Sequence, residues 1–354
     1  MGKSKNVIGL DIGSSAIKMI HMKGSKRGYQ LQHFGIANLP PEAIIDGALM
    51  NSTVIVSTIR DLLQSQRIRH KEAGIAISGH SVIIKKITLP AMTEEELEES
   101  IQWEAEQYIP FDINDVNIDV QVLTPEPSEQ GQMDVLLVAA KKDMINDYLA
   151  VVQEAGLTPM VVDVAAFCVE NAFETNYDLP TSDTIVLVNI GASVININVL
   201  ADGTTAFTRD ISMGGNQFTE EIQKQLSVSY DEAEALKLGG GATVDADSVV
   251  PQEVERVIVS VSETLAGEIQ RSLDFYAATA ADSQISRIYL SGGTCTIPSL
   301  YKIIENKVGV PVEVMNPFRN IEFDPKRFDP EYIREVGPSA AVAVGLGLRS
   351  PDDK

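Results

Sequence analysis

The sequence predicts an α/β protein of two lobes built on a duplicated unit, with a cleft between the copies. Three observations carry this. The chain has 354 residues, more than the roughly 250–300 that one hydrophobic core organises before a chain divides. Its 44% hydrophobic content, spread over helix-period and strand-period segments, suffices to bury a sizeable core. A strand, a Gly-x-Ser turn and a returning strand then occur near the start of each half, as GLDIGSSAIKMI at residues 9–20 and VLVNIGASVININV at 186–199.

In the first half, residues 7–12 and 16–22 predict two strands around Gly13-Ser14-Ser15, because a helix carried through Gly13 would cost about 1 kcal/mol relative to Ala. Residues 30–37 give a third strand, 52–64 a helix with Val54, Ile55, Ile59 and Leu62 at helical spacing, and 73–77 a strand. Residues 81–89 are β-rich and closed by Pro90. Thr93 to Glu96 has capping-box spacing and opens a helix whose apolar stripe is Leu97, Ile101, Ala105 and Tyr108. Its opposite face is densely acidic from Glu94 to Glu106, a solvated face, and Trp103, the one tryptophan, is expected as a core anchor. Strands at 117–123 and 134–140 flank the turn-rich loop 124–132; a helix at 143–155, a strand at 160–164 and a helix at 165–174 follow. Residues 176–183, with Pro180, are expected to be the hinge.

The second half repeats the opening, with strands at 184–190 and 194–200 around Gly191-Ala192-Ser193. A helix at 218–226 follows Gly214-Gly215, and a capping box from Ser229 to Glu232 opens a helix at 231–238. Residues 252–276 form a long amphipathic helix. A strand at 287–290 leads into Ser291-Gly292-Gly293-Thr294, then a helix at 298–307, a strand at 310–315, and a small-residue helix from Pro338 to near Leu348.

The formal charge of −22 repels phosphate backbones and anionic lipid headgroups. Nucleic acid and direct membrane insertion are therefore not expected, while a small anion held by backbone amides is not excluded. Cys168 and Cys295 stand far apart without a CxxC, and the four histidines form no cluster along the chain, so reduced buried thiols are expected and a disulfide or metal centre is not. The N-terminus lacks the apolar run of a signal peptide, Asn6 breaks a myristoylation pattern, and the longest uncharged stretch, 336–348, falls short of the roughly 20 residues that span a bilayer. The expectation is a soluble cytoplasmic protein.

A phosphate chain needs convergent N–H donors, and a glycine turn supplies them because no Cβ blocks the approach. Gly13, Ser14 and Ser15 offer amides and hydroxyls; Asp11 is placed to hold Mg²⁺ through water and Lys18 to neutralise phosphate. On its own this is also an ordinary hairpin with a solvated Asp and Lys. The matching turn of Asn189, Gly191, Ala192 and Ser193 turns the pair into a clamp. Ser291, Gly292, Gly293 and Thr294 fit a nucleoside cradle or a plain strand-to-helix turn, and Glu234 with Lys237 is either a surface ion pair or a ribose contact. Neither a Walker P-loop nor a GxGxxG after a strand occurs.

The order of these motifs resembles the actin-like ATPase superfamily, whose fold is ribonuclease H-like and duplicated. GLDIGSSAIKMI, the ISMGG run, AEALK and LSGGT are similar to its FtsA and PilM branch, and LEESIQWEAEQYIPFDI, at 97–113, resembles the PilM family in particular. The resemblance implies subdomains 1A (1–79 and, with the hinge, 160–182), 1C (80–159), 2A (183–216 and 284–354) and 2B (217–283), around an interlobe cleft for ATP and Mg²⁺. It implies that Asp11, Gly13, Ser14, Ser15 and Lys18 face the phosphates and metal, that Gly191, Ala192 and Ser193 close over them, and that Gly214 and Gly215 approach the nucleotide. Glu234 and Lys237 would meet ribose and adenine, and Ser291 to Thr294 would support the adenosine. It also implies a type IV pilus scaffold peripheral to the inner membrane, binding the cytoplasmic N-terminal tail of PilN between 1A and 1C, with motor and platform proteins and further copies of itself as partners. The catalytic pair would be Asp11 and Asn189, but the family pattern has Asp where Asn189 stands. An amide carries no charge toward Mg²⁺ and accepts no proton, so slow or absent hydrolysis is expected. An FtsA-like division scaffold is the alternative, disfavoured by the polar ending GLGLRSPDDK; a small-molecule kinase is another, disfavoured by the lack of a candidate catalytic carboxylate beside a Gly-rich substrate loop.

Overall fold

Two mixed sheets, each covered on both faces by helices, organise the chain, and a smaller sheet stands beside the first. In the computed structural model, residues 6–25, 28–123, 131–178, 183–239, 252–280 and 284–351 are described. The first lobe opens with β1 (Ile8–Ile12), β2 (Ala16–Ser25) and β3 (Gly28–Asn38). A short hairpin of β4 (Ile44–Ile45) and β5 (Ala48–Leu49), helix α1 (Ser52–Ser65) and β6 (Glu72–Ile77) follow. Next come β7 (Val82–Pro90), α2 (Glu94–Glu106), β8 (Val116–Val122) and β9 (Gln132–Lys141). The chain then returns through α3 (Lys142–Glu154), β10 (Thr158–Val164) and α4 (Ala165–Asn176).

The second lobe contains β11 (Thr184–Ile190), β12 (Ile195–Ala201), β13 (Thr204–Ile211), α5 (Asn216–Leu226), α6 (Tyr230–Lys237) and α7 (Gln252–Thr279). It continues with β14 (Ile285–Ser291), α8 (Leu300–Val308) and β15 (Val312–Val314), after which the chain crosses back to add β16 (Ile321–Glu322) to the edge of the first sheet and ends in α9 (Pro330–Val336) and α10 (Ala341–Leu348). The first sheet runs β10-β6-β1-β2-β3-β16 and the second β13-β12-β11-β14-β15. In each, an antiparallel hairpin is flanked on its first strand by a parallel partner: β1 pairs β2 and β6, as β11 pairs β12 and β14. The duplication seen in sequence is thus a duplication of topology.

Because both faces of each sheet are covered, β1, β6 and β11 are apolar at nearly every position. Ile8, Leu10 and Met19 pack with α1 and α3, while Val186, Val188 and Ile197 pack with α7 and α8. Between the sheets lie α4 and α10, in one core cluster that takes Ile20 and Met22 from the first lobe and Ile185, Leu187 and Leu200 from the second. Small residues let this layer close. A Cβ on Gly345 would overlap the Cys168 carbonyl, and one on Gly9 would stand 2.2 Å from the Ala343 oxygen. The hinge expected at 176–183 falls partly outside the described residues.

The third sheet, β7-β9-β8, carries α2 on one face, held by Leu97, Ile101 and Ala105. Trp103 does not join that core and is 80% exposed. Two residues past Ile101, it points about 200° around the helix, into the acidic face.

Both cysteines are buried and unpaired, and burial raises both thiols, that of Cys295 to about 12. The histidines depart from expectation: cross-strand pairing sets His21 opposite His33, and His70 stacks on His21 with centroids 4.9 Å apart. Distance along the chain had hidden this row. Burial, then the neighbouring imidazoles, hold His21 down at about 4, and no cluster able to hold a metal occurs among the described residues. No described helix is long and apolar enough to cross a membrane.

Candidate functional site

The two glycine turns face one cleft of about 290 Å³ between the lobes. In the first, the Gly13 N–H donates to the Ala16 carbonyl at 3.2 Å, and the register sets Asp11 opposite Lys18. The Lys18 ammonium lies 3.2 Å from Asp11 Oδ2. In the second, the Gly191 N–H donates to the Val194 carbonyl at 2.9 Å, and the register sets Asn189 opposite Asn196. The equivalence is residue for residue: the polar pair stands two before and five after each glycine. Where the first turn carries a salt bridge, the second carries an amide pair, with Asn189 Nδ2 donating to Asn196 Oδ1 at 2.9 Å.

Around the second turn the backbone is packed too closely for side chains. The N–H groups of Gly215 and Asn216 donate to the carbonyls of Gly191 and Ala192 at 3.0 and 2.9 Å. A Cβ on Gly214 would sit 2.4 Å from the Gly191 oxygen, so Gly214 serves this contact and does not line the cleft. Helix α5 begins here; the N–H groups from Gly215 to Phe218 already donate to backbone carbonyls, so what its start offers an anion is the positive end of the helix dipole. Gly292 has φ +90°, and a Cβ there would stand 2.2 Å from the Ile190 oxygen. Thr294 Oγ1 donates to the Gly191 carbonyl at 2.8 Å, tying the β14 turn to the second hairpin.

The remaining expected residues divide. Asp11, Gly13, Ser14, Ser15, Lys18, Asn189, Gly191, Ala192, Ser193, Gly215, Glu234, Lys237, Gly292, Gly293 and Thr294 all line the cleft. Ser291 is buried behind it and donates its hydroxyl to Asn189 Oδ1 at 3.3 Å. Glu234 and Lys237 are not a surface ion pair. Lys237 is 8% exposed; it bonds Glu234 and, at 3.0 Å, Thr219 Oγ1. Both cleft lysines therefore already have carboxylate partners, so an anion entering here would rely on backbone amides and an accompanying cation for much of its neutralisation.

Behind the second turn lies a set of residues the sequence reading did not single out. Asn196 Nδ2 donates to Asp210 Oδ1 at 2.8 Å, and Asp210 Oδ2 accepts the Gly79 N–H of the first lobe at 2.6 Å. Burial raises the Asp210 carboxyl. Beside it, Asn198 Nδ2 and Thr205 Oγ1 donate to Glu170 of α4 at 2.7 and 2.8 Å, and burial lifts Glu170 to about 7. The signal for both was present: Asn196 and Asn198, two apart in an apolar strand, point to one face. A buried amide needs partners.

A second concavity, of about 510 Å³, lies in the first lobe between α2, β8 and the start of α3. It includes Ile101, Val116, Ile118 and Lys142. β8 and β10 are each the edge of their sheet, and β10 exposes Met160 and Val162.

Comparison with known proteins gives a consistent picture. The family description type IV pilus assembly protein PilM matches residues 9–351. A chain in a solved PilM-PilN type IV pilus biogenesis complex is 30% identical, with a TM-score of 0.86 over 98% of this chain and 99% of that one. Cell division protein FtsA of Bacillus subtilis is 20% identical, over 98% of this chain and 83% of its own length. MreB5 of Spiroplasma citri, solved bound to ADP, is 12% identical at a TM-score of 0.51, covering 97% of this chain and 95% of its own. The architecture is the two-lobed actin-like ATPase fold.

Proposed function

This chain belongs to the type IV pilus assembly protein PilM family, and on that premise we propose that it is an ATP-binding cytoplasmic scaffold of the pilus inner-membrane assembly platform. It reaches the membrane through the cytoplasmic N-terminal tail of PilN and links the platform to the pilus motor. The observation that carries the nucleotide half is the pair of matched turns, one from each lobe, on a single cleft. The ADP bound to MreB5, which shares the fold, supports it.

The donor set fits a magnesium nucleotide. Mg²⁺ is usually held by one or two carboxylates with waters and substrate phosphates, and the cleft offers Asp11 with the Ser14 and Ser15 hydroxyls beside it. Bound Mg²⁺ would supply the positive charge that the paired lysines do not. Gly13 and Gly191 leave the phosphates room to reach backbone amides, and the N-terminus of α5 adds its dipole. Asn189, neutral where the family pattern carries Asp, neither accepts a proton nor draws the metal by charge. Hydrolysis is therefore slow or absent, and robust ATP turnover by the wild-type protein, measured beside Asn189→Asp, would overturn this.

For the tail, the groove beside β8, inside the 80–159 segment rather than at its border with the first sheet, offers apolar side chains and a strand edge with no partner among the described residues, two means of holding an extended peptide. Closure of the lobes on ATP then shifts the groove's affinity. Titrating a synthetic PilN tail with and without ATP and Mg²⁺ tests both halves. Saturable binding that changes with nucleotide is expected; equal affinities remove the coupling, and failure to recover pilus-platform proteins from membranes removes the scaffold role.

A further inference from the structure

The polar chain behind the second turn has a direction, and that direction is set outside the cleft. A carboxylate only accepts hydrogen bonds. Asp210 Oδ2 takes the Gly79 N–H at 2.6 Å and Oδ1 takes Asn196 Nδ2 at 2.8 Å. Asn196 must therefore turn its amino group to Asp210 and its oxygen to Asn189. Asn189 answers with its amino group at 2.9 Å, which leaves Asn189 Oδ1 as the atom beside Ser291 and the cleft. Each amide is oriented by the one before it, back to Asp210.

We propose that Asp210 is a positioning residue of the cleft: through Asn196 it fixes the Asn189 amide so that a neutral side chain presents an oxygen at the place equivalent to Asp11 in the other lobe. An oxygen there can receive the hydrogens of metal-bound water; an amino group would repel them. Because Gly79 belongs to the first lobe, at the entry to β7, Asp210 also ties this orientation to contact between the lobes. The use made of the oxygen rests on the nucleotide reading above; the direction of the chain does not.

The direction can be reversed on paper, which makes it testable. In Asp210→Asn the new amide must show its oxygen to the Gly79 N–H, which can only donate, so its amino group faces Asn196 and every amide flips. The three amides and Gly79 remain satisfied, while Ser291 changes from donor to acceptor and Asn189 now turns its amino group to the cleft. In Asn189→Asp, two carboxylates compete for the single amino group of Asn196, and one loses its donor. The double variant Asn189→Asp/Asp210→Asn is again complementary, running in the reversed direction and ending on a carboxylate at the cleft.

Two measurements on the purified full chain decide it. Thermal melting without nucleotide should place Asp210→Asn near the wild type, Asn189→Asp clearly lower, and the double variant back above Asn189→Asp, a strong non-additivity. Titration with a fluorescent ATP analogue should show Mg²⁺ strengthening wild-type binding, that enhancement falling about tenfold in Asp210→Asn, the scale of one lost hydrogen bond, and returning in the double variant. A double variant no more stable than Asn189→Asp, or an unchanged Mg²⁺ enhancement in Asp210→Asn, overturns the proposal. If the wild type binds no ATP, the nucleotide reading fails, and the melting cycle alone still decides whether Asp210 directs the chain.

Discussion

Replacing Glu170 by Gln should stabilise the protein at pH 8 and change it little near pH 4.5. Glu170 lies on α4, in the layer between the lobes, and accepts from Asn198 at 2.7 Å and Thr205 at 2.8 Å. Burial raises its carboxyl from 4.5 to about 7; those two hydrogen bonds pull the other way, and the charges of Glu174 and Asp163 push with the burial. The native state thus holds a proton that the unfolded chain releases above about 4.5. The stability this contributes is complete below pH 4.5, declines as pH rises toward 7 and is gone above it. At 1.36 kcal/mol per pH unit, the span amounts to roughly 3 kcal/mol. Gln keeps an oxygen for both donors and does not titrate, so its stability curve lacks this slope. Urea denaturation of both proteins from pH 4.5 to 8 measures the difference. Parallel curves, with the variant no better placed at pH 8 than at pH 4.5, would refute the assignment of Glu170 as a buried acid bridging the lobes.

Two glycines should respond in opposite senses to the same change. Gly292→Ala forces a Cβ to 2.2 Å from the Ile190 oxygen at φ +90°, and should cost more than about 3 kcal/mol in denaturant unfolding. Gly267, inside α7 with nothing within 4 Å of its Cβ direction, should gain about 0.5–1 kcal/mol on becoming Ala. Trp103, at 80% exposure, should emit at the solvent-exposed red end of the tryptophan range, be readily quenched by acrylamide, and tolerate Trp103→Ala within about 0.5 kcal/mol of wild-type stability.

The duplication was legible because its signal is local. A glycine flanked by strand-period residues fixes a tight turn, and the polar residues two before and five after it fall on cross-strand partners in both lobes. Helix starts announced themselves by capping boxes, as with Thr93 at α2 and Ser229 at α6, and the longer helices also by period. What escaped was set by distant parts of the chain. β13 reads TTAFTRDI, too polar to declare itself a strand, and is held by pairing with β12. β16 is two residues long and exists through parallel pairing with β3. α9, seven residues, is too short to show a period.

At the site, residue types at the turns were visible in sequence, and their partners were not. Asp210 and Gly79 stand 131 positions apart, so no local pattern links them. Asn196 sits among apolar neighbours in β12, and nothing local names the carboxylate that holds it. Trp103 departs from the usual burial of large aromatics because, two positions past Ile101, it falls off the apolar stripe of α2.

Hydrogen exchange across the two turns, followed while ATP and Mg²⁺ are titrated into the wild-type protein, probes the shared cleft most directly. Amides at residues 13–16 and 191–194 should both slow, along one saturation curve with a common midpoint, because one ligand engages both. Protection of one turn alone, or of neither at saturating nucleotide, would contradict a clamp formed by the two lobes.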